Sequence, residues 1–325
     1  MGSTTRLVVL LCIPGVLLFF GSANAQTRNL RVCTPGVSAT TMYVYIARDR
    51  GYFAQERMEV EVLAARGLLC ITAMMANEIH FTSAPTTFDL MVAGKLKGKV
   101  LYNPATGLAQ RFIVAPEIKS FSDLKQKNIA ISTFGTRADV LTREILAQHG
   151  LEAMKDVLLL QIGTPDVRYA ALRTNKVQGA LLTGYHVVRA LDEGFRELEY
   201  ETPPYLSGPL IVRDESLTRE RSTVSSFVRA AMKGHLFFGQ RPEEAIVLMQ
   251  KVLGVQDKVM ARKLYEDEMR RYNPGGRFEE RYLRRVIERA REGLKGQGNV
   301  GMKDVFDLSI ASEVEAELKK AQWKP

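Results

Sequence analysis

A unit made of a short apolar run, a loop of small residues and a helical pattern recurs along the first two thirds of this chain. In its first copy, residues 30–33 and 58–63 are predicted as strands, residues 34–40 as a loop and residues 41–48 as a helix. Alternating strands and helices predict an α/β protein with open sheets. Ligands bind such sheets at the loops that follow the carboxyl ends of strands, because free backbone N–H groups converge there.

The unit repeats up to about residue 182, and helices dominate the last third. Further strands are predicted at residues 79–82, 100–102, 111–115, 128–132, 157–161 and 178–182, and residues 208–212 are predicted as a strand that returns to the first group. The later helices are predicted at residues 222–240, 242–253, 257–272, 279–294 and 313–321. Two lobes joined by two or three extended crossings are the simplest arrangement.

Four segments between residues 30 and 215 resemble elements of one known family. They are YIARDRGYFAQERMEVEVL, AMMANEIHFTSAP, IKSFSDLKQKNIAIS and PDVRYAALRTNKVQGALL. Each is similar to an element of the periplasmic substrate-binding proteins of the nitrate, taurine, alkanesulfonate and thiamine-pyrimidine importers. The chain departs from that pattern at Arg57 and Met58, where the family usually has Glu-Gly, and at Asn77 and His80.

The resemblance implies a bilobal periplasmic-binding-protein fold of type II, in which two open mixed sheets flanked by helices are connected by a hinge. The expected division is residues 26–115 for the first part of lobe 1, 116–207 for lobe 2, and 208–325 for the return to lobe 1 and the C-terminal helices. It also implies a monomer that captures a small anionic or heterocyclic molecule between its lobes and delivers it to the permease and ATPase of an ABC importer.

Residues 1–25 have the composition of a secretory signal peptide. Arg6 supplies a positive charge, residues 7–20 are apolar, and Ala23, Asn24 and Ala25 form a small-x-small cleavage site. The apolar run is shorter than the ~20 residues that a membrane-spanning helix needs. The sequence therefore predicts export to the periplasm, with cleavage after Ala25.

Two cysteines, Cys33 and Cys70, remain after that cleavage. Cys33 closes the first predicted strand, and Cys70 lies near the start of the helix that follows the second. If those strands are neighbours, both residues lie on one rim of the sheet, and an exported protein permits a disulfide. The alternative is that both are buried thiols that pack as small hydrophobic groups.

Five predicted loops form the candidate binding site: residues 36–41, 83–87, 103–110, 133–137 and 183–186. Four of them lead into helices, whose N-termini each stabilise a surface anion by roughly 0.3–1 kcal/mol. The competing interpretation is that Ser, Thr and Gly are ordinary turn and cap residues. The candidate ligand-binding residues are Val37, Ser38, Thr40, Ser83, Ala84, Pro85, Arg111, Thr133, Phe134, Gly135, Thr136, Arg137, Gly184, Tyr185 and His186.

Arg137 is the most specific of these candidates, because a cation in the first turn of a helix opposes the helix dipole unless an anion binds there. It could equally be solvated or pair with Asp139. Arg111 is a weaker candidate for the same role and could be a surface residue. Tyr185 and His186 could supply an aromatic wall and a hydrogen-bond donor, or pack between the lobes and face solvent.

The sequence contains no recognisable catalytic or metal-binding motif. The four histidines lack metal-site spacing, and two mature cysteines cannot form a cysteine-rich metal site. We therefore predict a binding protein without cofactor or metal. Two alternatives remain open, which are an enzyme on the same fold that resembles pyrimidine synthases, and a solute sensor that signals to a membrane kinase.

The formal charge of +9 indicates either a basic surface or a field that attracts anions to a cleft. The Arg-rich segment at residues 277–296 mixes acidic and basic residues at i,i+4 spacing, which is typical of a solvated helix. We therefore expect no nucleic-acid partner. A GxGxxG match at residues 296–301 follows a charged helix instead of a strand, so it is predicted as a loop.

Overall fold

A computed structural model describes residues 27–294 and 300–325, together with Gly2. The predicted signal peptide and most of the GxGxxG match lie outside the described residues. None of the described helices combines the length and the apolarity that a bilayer crossing requires.

The strands and helices predicted from the sequence are present in the predicted order, with bounds that differ by a few residues, and the structure adds several short elements. The strands are β1 Arg28–Thr34, β2 Met58–Ala64, β3 Phe81–Thr82, β4 Gly98–Tyr102, β5 Gln110–Val114, β6 Asn128–Ile131, β7 Leu158–Gln161, β8 Gly179–Thr183, β9 Arg196–Leu198 and β10 Leu210–Arg213. The helices are α1 Met42–Asp49, α2 Tyr52–Gln55, α3 Gly67–Met75, α4 Thr86–Val92, α5 Arg137–Gln148, α6 Pro165–Arg173, α7 Tyr185–Asp192, α8 Asp214–Arg219, α9 Arg221–Gln240, α10 Pro242–Leu253, α11 Lys258–Met269, α12 Glu280–Gly293, α13 Met302–Val305 and α14 Ser309–Lys320.

The first lobe is built on a sheet with the strand order β2-β1-β3-β10-β4. β1 pairs in parallel with both β2 and β3, so the loops after these strands leave the same edge of the sheet. β10 runs antiparallel between β3 and β4. The prediction that the chain returns to the first group of strands near residue 210 agrees with this position.

The second lobe is built on a sheet with the strand order β7-β6-β8-β5-β9. β5 pairs antiparallel with β8 and β9 and therefore belongs to this lobe. The expected boundary at residue 115 is wrong for this strand, because the chain crosses between lobes before residue 110. The crossing was expected after β5 because the segment IKSFSDLKQKNIAIS, which resembles the family's element at the entry to the second lobe, begins only at Ile118.

The core of the first lobe is completed by C-terminal helices. Phe227 of α9 is fully buried and stacks on Phe81 of β3, with 3.8 Å between ring centroids. Burial of such a side chain contributes about 1.5–3 kcal/mol. α9 also packs closely on α1, where a β-carbon built at Gly234 would lie 2.2 Å from the carbonyl oxygen of Tyr43. Only glycine allows the two helices this separation.

Two extended crossings, residues 103–109 and 199–209, join the lobes in the described part of the chain. Ala105 of the first crossing forms antiparallel bridges both to Ser207 of the second and to Tyr272. The first crossing is also held by the segment after α11, because Asn103 N–H donates to the Gly276 carbonyl at 2.8 Å. The crossings therefore lie side by side and are anchored to the C-terminal region.

Cys33 and Cys70 form a disulfide, with 5.5 Å between their α-carbons. It links the end of β1 to the first turns of α3, and both residues are buried. Because β1 and β2 are direct neighbours, the two cysteines come to the same rim of the sheet.

Candidate functional site

The carboxyl ends of strands from both sheets supply the candidate site. In the first lobe, the loops after β1 and β3 lead towards α1 and α4. In the second lobe, the loops after β6 and β8 lead into α5 and α7. Four of the five predicted loops therefore have the predicted strand–loop–helix setting, and the fifth, residues 103–110, is the first crossing.

A cavity of about 380 Å³ lies between the two lobes. Its walls come from α4 of the first lobe, α5 of the second lobe, both crossings and α12. Among the predicted site residues, Pro85 at the start of α4 and Gly135 before α5 line this cavity. The volume falls in the range of about 300–1,000 Å³ that is usual for small-molecule sites.

In the loop after β1, the Ser and Thr hydroxyl groups form hydrogen bonds mainly within the loop and to Glu268 of α11. Ser38 N–H donates to Thr41 Oγ1 at 3.2 Å, and Thr41 Oγ1 donates to the Ser38 carbonyl at 3.0 Å. Thr40 Oγ1 donates to Glu268 Oε2 at 3.0 Å. Val37 projects outward and is 43% exposed.

The loop after β3 is buried at its first two positions. Ser83 and Ala84 are inaccessible to solvent, and Ser83 N–H donates to the Cys33 carbonyl at 2.9 Å. Among the described residues, the hydroxyl groups of Ser83 and Thr87 have no hydrogen-bond partner. Buried hydroxyl groups without partners are uncommon in folded proteins. This strand end therefore holds hydroxyl groups whose hydrogen-bonding capacity is unused.

The loop after β6 satisfies much of its hydrogen-bonding capacity internally. Phe134 N–H donates to Gln161 Oε1 at 2.9 Å, and Gly135 N–H donates to Asp139 Oδ2 at 2.8 Å. Thr136 Oγ1 donates to the carbonyl oxygen of Thr133 at 2.6 Å. An anion bound here would have to displace the Asp139 carboxylate from Gly135.

Arg137 begins α5 as predicted, and only its backbone is described. The alternative partner suggested for it, Asp139, is buried and accepts a hydrogen bond from Arg143 Nε at 2.8 Å. Arg143 also lies over the ring of Phe134, which is 44% exposed.

The loop after β8 leads directly into α7, as predicted, although the first two residues of this helix, Tyr185 and His186, were assigned to the loop. Gly184 is its N-cap with φ of +50°, and Tyr185 is 40% exposed at the first turn. The His186 ring lies 5.5 Å from that of Tyr169, and its buried Nδ1 has no hydrogen-bond partner among the described residues. Burial lowers the pKa of His186, although the charge of Asp166 opposes this effect.

Arg111 on β5 is engaged by two carboxylates. Its guanidinium donates hydrogen bonds to Glu197 of β9 and to Asp267 of α11. Burial by itself lowers the pKa of Arg111, but the hydrogen bond and charge of Glu197, together with Asp267, outweigh burial and raise it. The positive charge is therefore neutralised within the protein.

A polar cluster connects the loop after β1 to the hinge. Arg271 Nη1 donates to Ser207 Oγ at 3.0 Å, Arg271 Nη2 donates to Thr40 Oγ1 at 3.1 Å, and Arg271 pairs with Glu268. Burial raises the pKa of Glu268, while Arg271 and Thr40 act to lower it. Thr40 is thus a structural neighbour of the second crossing.

The contribution of α12 to the interlobe cavity was not predicted from the sequence. Arg289 of α12 pairs with Glu144 of α5, and Val286 and Ala290 line the cavity beside it. The segment was predicted as a solvated helix from its charges. Its apolar positions recur at helical spacing, so one buried face could also have been recognised.

The sequence matches the family described as NMT1/THI5 like over residues 38–245. No curated protein matches the chain. Among the described residues, no group of three or more His, Cys, Asp or Glu side chains could hold a metal ion.

Solved structures with the same fold include two sulfonate-binding proteins. The putative sulfonate ABC transporter periplasmic sulfonate-binding protein SsuA of Methylobacillus flagellatus KT is 16% identical, with a TM-score of 0.70 over 92% of this chain and 98% of that chain. The periplasmic aliphatic sulphonate binding protein SsuA of Escherichia coli is 14% identical, with a TM-score of 0.70 over 88% of this chain and 99% of that chain.

The desulfurization enzyme DSZB also has a similar fold, with 15% identity and a TM-score of 0.63 over 89% of this chain and 99% of that chain. The fold therefore occurs in binding proteins and in an enzyme. The family match spans more than half of the chain and crosses both lobes. The chain belongs to the NMT1/THI5-like family and has the bilobal α/β fold of periplasmic binding proteins.

Proposed function

We propose that this protein is an exported solute-binding protein that captures a small anionic or heterocyclic molecule between its lobes and delivers it to an ABC importer. In this proposal it works as a periplasmic monomer after removal of residues 1–25. Its partners are the membrane permease and the ATPase. Sulfonate-binding proteins among the structures of similar fold support the transport role.

The observation that carries the proposal is an interlobe cavity whose walls come from both lobes and both crossings. Pro85 of the first lobe and Gly135 of the second lobe line the same space. A ligand that contacts both walls favours the closed arrangement by the difference between its affinities for the closed and open states. The paired crossings at Ala105 and Ser207 are the segments about which the lobes would rotate.

The proposal also includes the other site residues predicted from the sequence, as residues that contact the ligand. The exposed Val37, Phe134 and Tyr185 lie on loops at strand ends of the two lobes. Ser38, Ser83, Ala84, Thr133, Thr136, Arg137, Gly184 and His186 lie on the same loops, whereas Thr40 and Arg111 are held by other protein groups. Ligand contact by these loops would accompany closure.

Lobe closure can be measured by fluorescence transfer between dyes placed on cysteines introduced at Met75 and Met154. Both positions are exposed, one on each lobe. A thermal-shift screen of small anions and heterocycles supplies the ligand. We expect transfer to rise when the ligand is added, whereas dyes at Met154 and Val167, which both lie on the second lobe, should show no change. Ligand binding without any change in the transfer between the dyes at Met75 and Met154 would contradict the hinge mechanism.

The two alternatives lead to different experiments. Enzymatic thiol chemistry would need a free cysteine, and the cysteines of the described residues are joined in the Cys33–Cys70 disulfide. Turnover of a pyrimidine precursor by the purified chain would support the enzyme. Copurification with a membrane kinase instead of a permease would support the sensor.

A further inference from the structure

The interlobe cavity is walled mainly by apolar side chains from every element that surrounds it. Phe88 comes from α4, Leu108 and Leu206 from the two crossings, Leu141 from α5 and Val286 from α12. All five of these side chains also belong to the apolar cores of the lobes, so the walls are fixed by packing. A ligand in this space would gain binding energy by covering apolar surface.

The charged side chains that the structure describes around the cavity are acidic in excess. Glu144 and Glu292 are acids beside Arg289, and Asp89 is a further acid that has an interaction of its own. Arg289 pairs with Glu144, and its Nη1 lies 3.9 Å from Glu292 Oε2. The guanidinium is therefore compensated before any ligand arrives. An anion would have to displace one carboxylate and remain close to the others, which opposes its binding.

The loop after β6 lines the cavity at Gly135 and also disfavours an anion, independently of the charged side chains. The N–H groups of Phe134 and Gly135 already donate to Gln161 and Asp139. Phe134 on this loop presents a ring that is 44% exposed, beside the exposed Thr133. The loop after β6 thus offers a ring surface more readily than anion-binding amides.

We propose that the interlobe cavity binds a neutral or cationic organic molecule with an apolar ring, and that it selects against anions. The inference rests on the proposed function and excludes the anionic ligand class considered there. The ring lies against the walls formed by Phe88, Leu141 and Val286. The hydroxyl or amine end of the molecule lies at the Glu144–Arg289 pair, where the carboxylate accepts its hydrogen bond.

A matched series of probes tests the class directly. Benzylamine, benzyl alcohol, benzoate and benzenesulfonate share one ring and differ in the charge at one end. Titration calorimetry with the mature chain should give affinities for the amine or the alcohol at least tenfold higher than those for the two anions. Tighter binding of either anion, or no detectable binding of the amine and the alcohol, would overturn the proposal.

Two variants locate the effect in the cavity. In Glu144→Gln, we expect the preference for benzylamine over benzenesulfonate to fall at least tenfold, because Arg289 loses its carboxylate partner. Glu152→Gln removes an exposed acid of the same lobe and should leave the preference unchanged. Val140→Ala shortens an exposed cavity residue, so the fold should be retained while affinity for the ring falls for all four probes.

The closure measurement separates this proposal from the proposed function. If an inorganic anion such as nitrate closes the lobes while the aromatic amine and alcohol do not bind, the ligand class is wrong and the binding-protein function stands. If no small molecule in the screen binds or closes the lobes, the proposed function itself fails.

Discussion

Arg111 of β5 donates a hydrogen bond to Asp267 of α11, and this contact ties the second lobe to a helix that packs in the core of the first. The same guanidinium also donates to Glu197 of β9. The Arg111 side chain is only 16% exposed, so water screens the network weakly. One cation thus balances two carboxylates at the junction of the lobes.

Replacement of Arg111 by Met should lower the free energy of unfolding by about 2 kcal/mol, because Glu197 and Asp267 would face each other without a cation. Urea unfolding of the mature chain measures the loss. The matched control is Arg189→Met, because Arg189 pairs with Glu193 on the surface. Exposed pairs of this kind are worth about 0–1 kcal/mol. Equal losses in the two variants would contradict the special role of Arg111.

Removal of the Cys33–Cys70 disulfide should destabilise the protein by about 3–4 kcal/mol, since the bond closes a loop with a sequence separation of 37 residues. The comparison is between the double variant with Cys33→Ala and Cys70→Ala and the oxidised parent protein, by urea unfolding. Reduction of the parent protein should produce a similar loss. An unchanged unfolding midpoint in both samples would show that the bond does not form in solution.

Stability should depend on pH through the buried His235. Burial lowers the pKa of His235 from 6.5 to about 3. Between these values the unfolded chain binds a proton that the folded protein does not bind, so stability is lost as the pH falls from 6.5 towards 3. The slope due to this group is at most about 1.4 kcal/mol per pH unit. Above pH 6.5 the group should have no effect.

The variant His235→Gln should therefore show a flatter decrease of unfolding free energy between pH 6.5 and 4 than the parent protein. The absolute stability is expected to fall at every pH, because the ring packs against Tyr102 and Tyr272. The same exchange at the exposed His149 is the control. A slope in His235→Gln as steep as in the parent protein would remove His235 as the cause.

The close packing of α1 on α9 should make Gly234 intolerant of a side chain. In Gly234→Ala, the new methyl group would meet the Tyr43 carbonyl and the Ala47 backbone, and we expect a loss of about 2–3 kcal/mol in urea unfolding. Gly293→Ala in α12 is the matched helical control, because among the described residues no atom outside its own helical turn lies within 4 Å of its added β-carbon. In this control we expect the free energy of unfolding to rise by up to about 1 kcal/mol. If Gly234→Ala left the free energy of unfolding unchanged, α1 and α9 would be able to move apart without loss of stability, contrary to this prediction.

Most of the fold could be predicted where a local signal is strong. α10 has Pro242 at its first position and Gly254 just after its end, and its predicted bounds agree with the structure. The start of α7 was placed too late, because its first two residues, Tyr185 and His186, were assigned to the loop before it. The three-residue strand β9 is short and half-buried, and nothing in residues 196–198 distinguishes it from a connection.

The candidate site was less predictable, because it depends on which side chains satisfy which backbone groups. Thr40 and Arg111 were expected to face a ligand, and the structure engages them with Glu268, Glu197 and Asp267. These acids lie far away in the sequence. Asp139 is near in sequence, but the hydrogen bond that it accepts from Gly135 N–H depends on its side-chain rotamer, which the sequence pattern does not specify.

The sequence by itself determined the family, the alternation of strands and helices, and the loops that follow the strand ends. These features depend on periodicity and on local turn chemistry, which neighbouring residues fix. Tertiary structure alone decided that β5 joins the second lobe, that α12 forms a wall of the cavity, and that Arg289 faces Glu144. Such pairings join residues that are distant in the chain, so they are set by packing of the whole molecule and not by any one segment.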